Sequence, residues 1–246
     1  MISVITPSTR NDLLPIVEKC LKRQDFTDFE WIIVSPIEIT SVKPDLLLKD
    51  PPKNEGDFWS LCKGWNKAYA HAKGDLIVNI QDGIWFPPDV LSKMWFHYQK
   101  QPRILVSAIG HQYDQLDDLG IPTNKVWSDP RAKVHISFED ISPADCEMVM
   151  CSVPKQALVE CGGIDEEYDT CNGAQEKEMC WRLNRMNWDF FIDHTIEYKA
   201  IKHPRLSDNW DDVYKNKTTP LFTRHMMEIT AGARPLNVQE LLKYTS

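Results

Sequence analysis

A strand that ends in an acid-glycine turn and is closed off by two prolines constrains this chain most: Gly74 to Asp89 reads GDLIVNIQDGIWFPPD. Leu76 to Ile80 is apolar enough to be buried, Asp82-Gly83 turns the chain, and Pro87-Pro88 lacks the backbone donors that further sheet pairing needs. Open α/β sheets bind ligands at the carboxyl ends of their strands, and this segment delivers one carboxylate, Asp82, to that edge.

The preceding residues supply the sheet that such a strand requires. Residues 2–8 (ISVITPS) form a β-branched strand ended by Pro7. Residues 11–24 follow, with Leu13, Leu14, Val17, Cys20 and Leu21 at helical spacing and Asn11 or Asp12 available as a cap. Residues 29–36 (FEWIIVSP) are apolar without alternation, as expected of a strand covered on both faces. Strand, helix, strand is a right-handed βαβ unit, so the N-terminal half of the sheet is expected to be parallel and doubly wound.

Residues 37–57 read as an irregular connection. Residues 58–74 read as a helix with Leu61, Trp65, Ala68, Tyr69 and Ala72 on one face and Gly74 as its stop. A helix from Asp89 to Lys100, a strand over 104–113, and a long surface excursion to about Ser142, of the kind used as a lid or acceptor loop, come next. Then follow a strand over 145–154, a helix ended by Gly162-Gly163, a helix over 174–188 with Met179, Cys180, Leu183 and Met186 inward, and a strand pair over 190–203. A polar tail with a final helix around Val238 to Tyr244 closes the chain. No repeat or low-complexity linker divides it, so one domain is expected.

Charge and motifs narrow the function. A net charge of −8, from 28 Lys+Arg against 36 Asp+Glu, offers no broad attraction to nucleic acid or an anionic membrane. The first residues lack a signal-peptide layout and no run is long enough to span a bilayer, so a cytoplasmic protein without integral membrane association is expected. Seven cysteines with no C-x-x-C pair read as reduced, buried thiols. The chain has no P-loop or dinucleotide glycine loop and no G-x-S-x-G elbow, which argues against kinase, dehydrogenase and α/β-hydrolase chemistry.

Three places could carry chemistry, each with a bland alternative. Asp82 is either an ordinary turn aspartate or a ligand for a divalent cation or a nucleotide sugar. Gln175-Glu176-Lys177-Glu178 is either a solvated first helical turn or the seat of a general base. His203 in IKHPR is either structural or a metal or phosphate partner.

In order and spacing these pieces resemble the family 2 glycosyltransferases and their relatives of the A-type glycosyltransferase (GT-A) fold, within the nucleotide-diphospho-sugar transferases. The likeness runs from Met1 to about His203. ISVITPSTRN resembles the opening strand whose end touches the nucleotide base, and GWNKAYAHAKGDLIVNIQDG the Asn-containing helix, acidic strand and D-x-D motif. CGGIDEEY resembles the Gly-Gly-aromatic-Asp-Glu stretch, and AQEKEMCWRL the Glu-Asp-x-Asp-Leu-x-x-Arg-Leu stretch, with Arg182 as the register mark.

The resemblance implies an α/β, Rossmann-like, mostly parallel central sheet flanked by helices. It implies a GT-A domain over 1–205, with a donor half of about 1–100 and an acceptor half of about 101–205, and residues 206–246 as a small extension packed on it. It further implies an inverting, hexosyltransferase-like enzyme using a nucleotide-diphospho-sugar donor and a divalent cation, Mn or Mg. By position, Glu176 falls on the catalytic base and Glu178 on the next acidic residue, Asp82 and His203 on the metal site, and Thr6, Pro7, Ser8, Arg10, Ser35, Asn66, Gln81 and Asp82 on the nucleotide pocket.

The departures are specific. Ser35-Pro36-Ile37 replaces the usual Asp-Asp-Gly-Ser, which leaves the base open, and Gln81 and Gly83 flank Asp82 where carboxylates are usual. They motivate the alternative of a nucleotide-sugar-binding protein without turnover. A sugar nucleotidyltransferase would need a glycine-rich basic N-terminal loop, and STRND offers only Arg10. The acceptor is open among a glycan, a lipid-linked sugar, a small molecule and a modified DNA base. Lys199, Lys202, Arg205, Lys215 and Lys217 are candidates for a local patch toward an anionic acceptor.

Overall fold

The structure, a computed structural model, describes residues 1–202 and 209–245. Its N-terminal half alternates strand and helix: β1 (Ile2–Pro7), α1 (Leu14–Leu21), β2 (Phe29–Ser35), β3 (Leu46–Lys49), α2 (Leu61–His71), β4 (Leu76–Ile80), β5 (Ile84–Trp85) and α3 (Val90–Lys100). The second half runs β6 (Ile104–Leu116), β7 (Pro122–Ser128), β8 (Phe138–Asp140), β9 (Met150–Pro154), α4 (Lys155–Cys161), α5 (Gln175–Arg185), β10 (Asp189–Ile201), α6 (Trp210–Val213) and α7 (Thr219–Thr230).

The strands form a single ten-stranded sheet in the order β3-β2-β1-β4-β9-β6-β10-β5, with β7 on β6 and β8 on β10. Strands β3, β2, β1 and β4 are mutually parallel, as the βαβ pattern requires. The other half is mixed: β9 runs antiparallel to β4 and β6, while β10 is parallel to β6.

Period-two burial explains why both faces are covered. On β2, Ile32 and Val34 join a core with Trp65 and Tyr69 of α2, Leu158 of α4 and Leu183 of α5. Trp31 and Ile33 point the other way, to Leu14 and Val17 of α1 and Leu91 and Met94 of α3. The strands of this half are therefore mostly apolar on both faces, and buried polar groups such as Ser3, Glu30 and Asn79 are hydrogen-bonded inside the fold.

Several elements differ from expectation. β3 lies within the stretch read as irregular, a short edge strand whose exposed Leu47 weakens the apolar signal. The excursion holds β7, which folds back on a β6 longer than its apolar run, and β8. The expected terminal strand pair is one strand, β10, whose register shift between Asp193 and Glu197 breaks the sequence periodicity. The final helix is a 3-10 turn, Glu240–Tyr244. Gly74 does not cap α2, which ends at His71; a Cβ there would strike the Ser3 backbone.

All seven cysteines are buried and free. Among the described residues no helix is long and apolar enough to cross a membrane.

Candidate active site

The carboxyl ends of β1 and β4 meet as the sequence suggested. Ser8 extends the ladder by donating its N–H to the Val34 carbonyl at 3.0 Å. Its hydroxyl donates to Asp82 Oδ2 at 2.7 Å and accepts the Arg10 N–H at 3.2 Å. The Arg10 guanidinium closes the group, with Nε 3.7 Å from the same Asp82 oxygen. Gly83 turns the chain away with φ +71°, a conformation most side chains resist. Gln81 stays half-buried beside Asp82, its N–H donated to the Val149 carbonyl at 3.0 Å.

Neighbouring candidates fare differently. Pro7 is half-buried at the same edge. Thr6 faces the core, its hydroxyl accepting the Trp31 indole N–H at 3.0 Å. Ser35 is buried, with its hydroxyl on the Ile37 N–H at 3.2 Å and its carbonyl on the Asp50 N–H. Asn66 is fully buried; its side chain clamps both backbone groups of Ile164, at 2.7 and 2.9 Å, rather than opening onto the edge. His203 and Arg205 lie outside the described residues.

α5 begins abruptly. Gly173 and Ala174 both have positive φ, +73° and +69°, and for alanine this costs about 1–2 kcal/mol. Strain of this kind collects at functional sites. Glu176 and Glu178 then sit two residues apart, about 200° around the helix, and so face different surroundings.

Glu178 turns inward with no exposure. Both its oxygens accept Arg182 Nε at 2.9 Å, and Oε1 also accepts Arg234 Nε at 3.2 Å. Arg182 donates onward to the Cys161 and Gly163 carbonyls, and Arg234 pairs with Asp165. Glu178 thus corrects the expectation of a catalytic acid: it is unavailable to a substrate and holds these arginines. Asp165, Glu178 and His225 are the group of three potential metal ligands among the described residues, but the two guanidiniums already occupy the cation's place there.

Glu176 is half-buried, yet its Oε2 atom is shut off from solvent and has no hydrogen-bond partner. Burial pushes its pKa up; its own backbone N–H and Lys177 pull against that shift, while the Glu147 charge adds to it. A desolvated, underpartnered carboxylate is a stronger base than one in water. Glu147 connects it to the sheet edge, lying two residues before Val149, whose carbonyl receives the Gln81 N–H.

Sequence reasoning missed the supports of this edge. Arg131 grips Asp129 through Nη2 at 2.6 Å, Glu147 at 3.2 Å and the Asp145 carbonyl at 2.6 Å. Burial pushes Asp129 up, but the Arg131 hydrogen bonds prevail and hold its pKa below the ordinary value. The spacing Asp129-Pro130-Arg131 was the only local signal. Asp169 takes the Cys62 and Lys63 N–H groups at 2.8 and 3.2 Å, capping α2 from over a hundred residues away, and no local pattern could announce that.

The sheet order, with helices on both faces, is that of the GT-A glycosyltransferase fold. No protein-family model and no curated protein sequence matches the chain. Among solved structures, S. aureus TarS 1-349 superimposes with a TM-score of 0.62 at 13% identity, over 92% of this chain and 65% of its own length. TarS 1-349 in complex with UDP-GlcNAc gives 0.61 at 14% identity, over 92% and 66%. GalNAc-T7 with UDP, GalNAc and Mn2+ gives 0.62 at 11% identity, over 99% and 53%. The chain therefore spans less than two thirds of each of these structures, and the likeness is one of fold.

Proposed function

We propose that this protein transfers a sugar from a nucleotide-diphospho-sugar to an acceptor hydroxyl, with inversion at the anomeric carbon. The carrying observation is the clasp on Asp82, which places a carboxylate and a guanidinium together at the ligand edge of a GT-A sheet. TarS and GalNAc-T7, similar in fold, were solved with UDP-GlcNAc and with UDP, GalNAc and Mn2+, which supports a nucleotide-sugar donor.

In this reading Ser8 and Arg10 bind the donor diphosphate, Asp82 and Gln81 reach it through a divalent cation, and Pro7 flanks the nucleotide. Glu176 takes the proton of the acceptor hydroxyl; the acceptor oxygen bonds to the anomeric carbon, and the bond to the diphosphate breaks with its electron pair leaving on the phosphate oxygen. The hard oxygen donors of Asp82 and Gln81 fit a divalent cation, Mn or Mg, whose remaining ligands would come from the diphosphate and water. When bound there, such an ion neutralises charge on the leaving group.

Hydrolysis and transfer assays over a panel of nucleotide sugars, comparing wild type with Glu176→Gln, test the proposal. Donor turnover that collapses in the variant is expected, and unchanged turnover removes Glu176 from the mechanism. The enclosed Glu176 oxygen favours one rival, a binder without turnover. Nucleotide-sugar binding with no product from any acceptor would establish that rival.

A further inference from the structure

Against the loop that leads into α5 the structure holds three aromatic side chains that the chemistry above does not use. Phe58, Trp59 and Trp210 pack edge to face, with centroids 5.7 Å (Phe58 to Trp59), 6.1 Å (Phe58 to Trp210) and 5.6 Å (Trp59 to Trp210) apart. All three remain partly exposed.

One loop holds these rings and also feeds α5. The Asp169 carbonyl accepts the Phe58 and Trp59 N–H groups at 2.6 and 3.1 Å, and the Asn172 amide donates to the Trp210 carbonyl at 2.7 Å. The next side chains along that loop are Gln175 and Glu176. Gln175 is 5% exposed, and its Oε1, like Oε2 of Glu176, is buried without a partner. Two adjacent unpartnered acceptor oxygens call for a ligand that brings hydrogen-bond donors.

We propose that Phe58, Trp59 and Trp210 form an acceptor subsite for a sugar ring, with Gln175 positioning the hydroxyl that Glu176 deprotonates, so that the acceptor is a carbohydrate. This rests on the glycosyltransferase reading. A sugar presents apolar C–H faces together with hydroxyl donors, and matches a site of aromatic walls and a few acceptor oxygens. A nucleic-acid acceptor fits less well. The chain as a whole carries a charge of −8, which offers a nucleic acid no broad attraction.

The test uses the full chain, the nucleotide sugar found by the donor panel, and methyl glycosides of glucose, galactose, N-acetylglucosamine and N-acetylgalactosamine as acceptors. The subsite predicts transfer to at least one glycoside. It predicts that Trp210→Ala raises the KM for that glycoside about tenfold, the equivalent of one lost aromatic contact, while donor hydrolysis stays near wild type. Gln175→Leu is expected to lower kcat for transfer with an unchanged KM for the donor. Thermal unfolding of both variants separates this from loss of packing, and Trp210→Phe should restore most of the acceptor affinity.

Equal acceptor KM in wild type and Trp210→Ala overturns the subsite. So does a loss of donor hydrolysis and stability together, which would mark the rings as packing for the C-terminal segment. Donor hydrolysis with no transfer to any glycoside rejects the carbohydrate acceptor and leaves the donor site standing. Absence of any nucleotide-sugar binding or hydrolysis brings down the glycosyltransferase reading, and the subsite with it.

Discussion

Two carboxylate-arginine groups in this molecule use the same chemistry to opposite ends. At the sheet edge Asp82 meets the Arg10 guanidinium, and their side chains remain 13% and 19% exposed. Under α5, Glu178 meets Arg182 with neither exposed at all, and Arg234 joins through Glu178 and Asp165. In the inner group Glu178 and Asp165 face Arg182 and Arg234, Glu228 reaches Arg234 from the surface at 3.5 Å, and the remaining donors of Arg182 end on backbone carbonyls, including Leu236 of the C-terminal segment at 3.1 Å. The two fully buried charges, Glu178 and Arg182, match each other, as burial demands. The edge group keeps access to solvent, so a ligand can enter it. Burial, rather than residue type, separates the fully buried Glu178–Arg182 pair from a candidate binding site.

The sharpest way to test that contrast is on α5, where the two settings lie two residues apart. Glu176→Gln should lower transfer by about 100- to 10,000-fold, the usual contribution of a general base, with no loss of stability because an unpartnered buried charge is removed. Steady-state kinetics and urea unfolding of the same preparation read both. Arg182→Met should cost about 3–5 kcal/mol, since it leaves Glu178 with Arg234 alone and the Cys161 and Gly163 carbonyls without their donor. A loss below about 1 kcal/mol in urea unfolding would mean that the inner group is not sealed.

Asp169 provides the pH arm. Burial pushes its pKa up to about 6 from the ordinary 3.8, although the Cys62 and Lys63 N–H groups pull it back. Below about pH 4 the folded and unfolded states both hold the proton; between about pH 4 and 6 the unfolded chain releases it first, so Asp169 takes away about 3 kcal/mol of stability by pH 6 and nothing further above. Asp169→Asn should remove that slope from a series of urea midpoints, and parallel profiles would contradict it. The smallest effect is expected at Gly163, whose carbonyl receives Arg182 and whose φ is +91°. Gly163→Ala should cost about 1–2 kcal/mol through the left-handed backbone, before any adjustment of Asn66 beside it.

The parallel half of the fold was legible because its strands are apolar on both faces and its helices keep a clean spacing. β3, β7 and β8 were not, since an exposed edge strand and a hairpin projecting from the sheet lose the apolar run that marks a strand. The same division applies to the site. Ser8 and Asp82 could be placed from sequence because parallel register brings strand ends to one edge. Glu178 was misread because spacing along a chain does not show which way a helical side chain faces. Asp129, Arg131, Glu147 and Asp169 act through partners brought together only by the fold, and Asn66, placed in the nucleotide pocket by its position in a motif, instead clamps Ile164.

The most direct measurement of the central claim is calorimetric titration of UDP, GDP and ADP, each in excess Mn, into wild type, Asp82→Asn and Glu178→Gln, with urea unfolding of each. Asp82→Asn should weaken binding of the preferred diphosphate by about 10- to 100-fold with an unchanged unfolding midpoint. Glu178→Gln should lower stability by about 3–5 kcal/mol while the folded fraction still binds. Asp82→Asn binding as tightly as wild type, or Glu178→Gln losing binding at an unchanged midpoint, would contradict the assignment of one group to the ligand and the other to the fold.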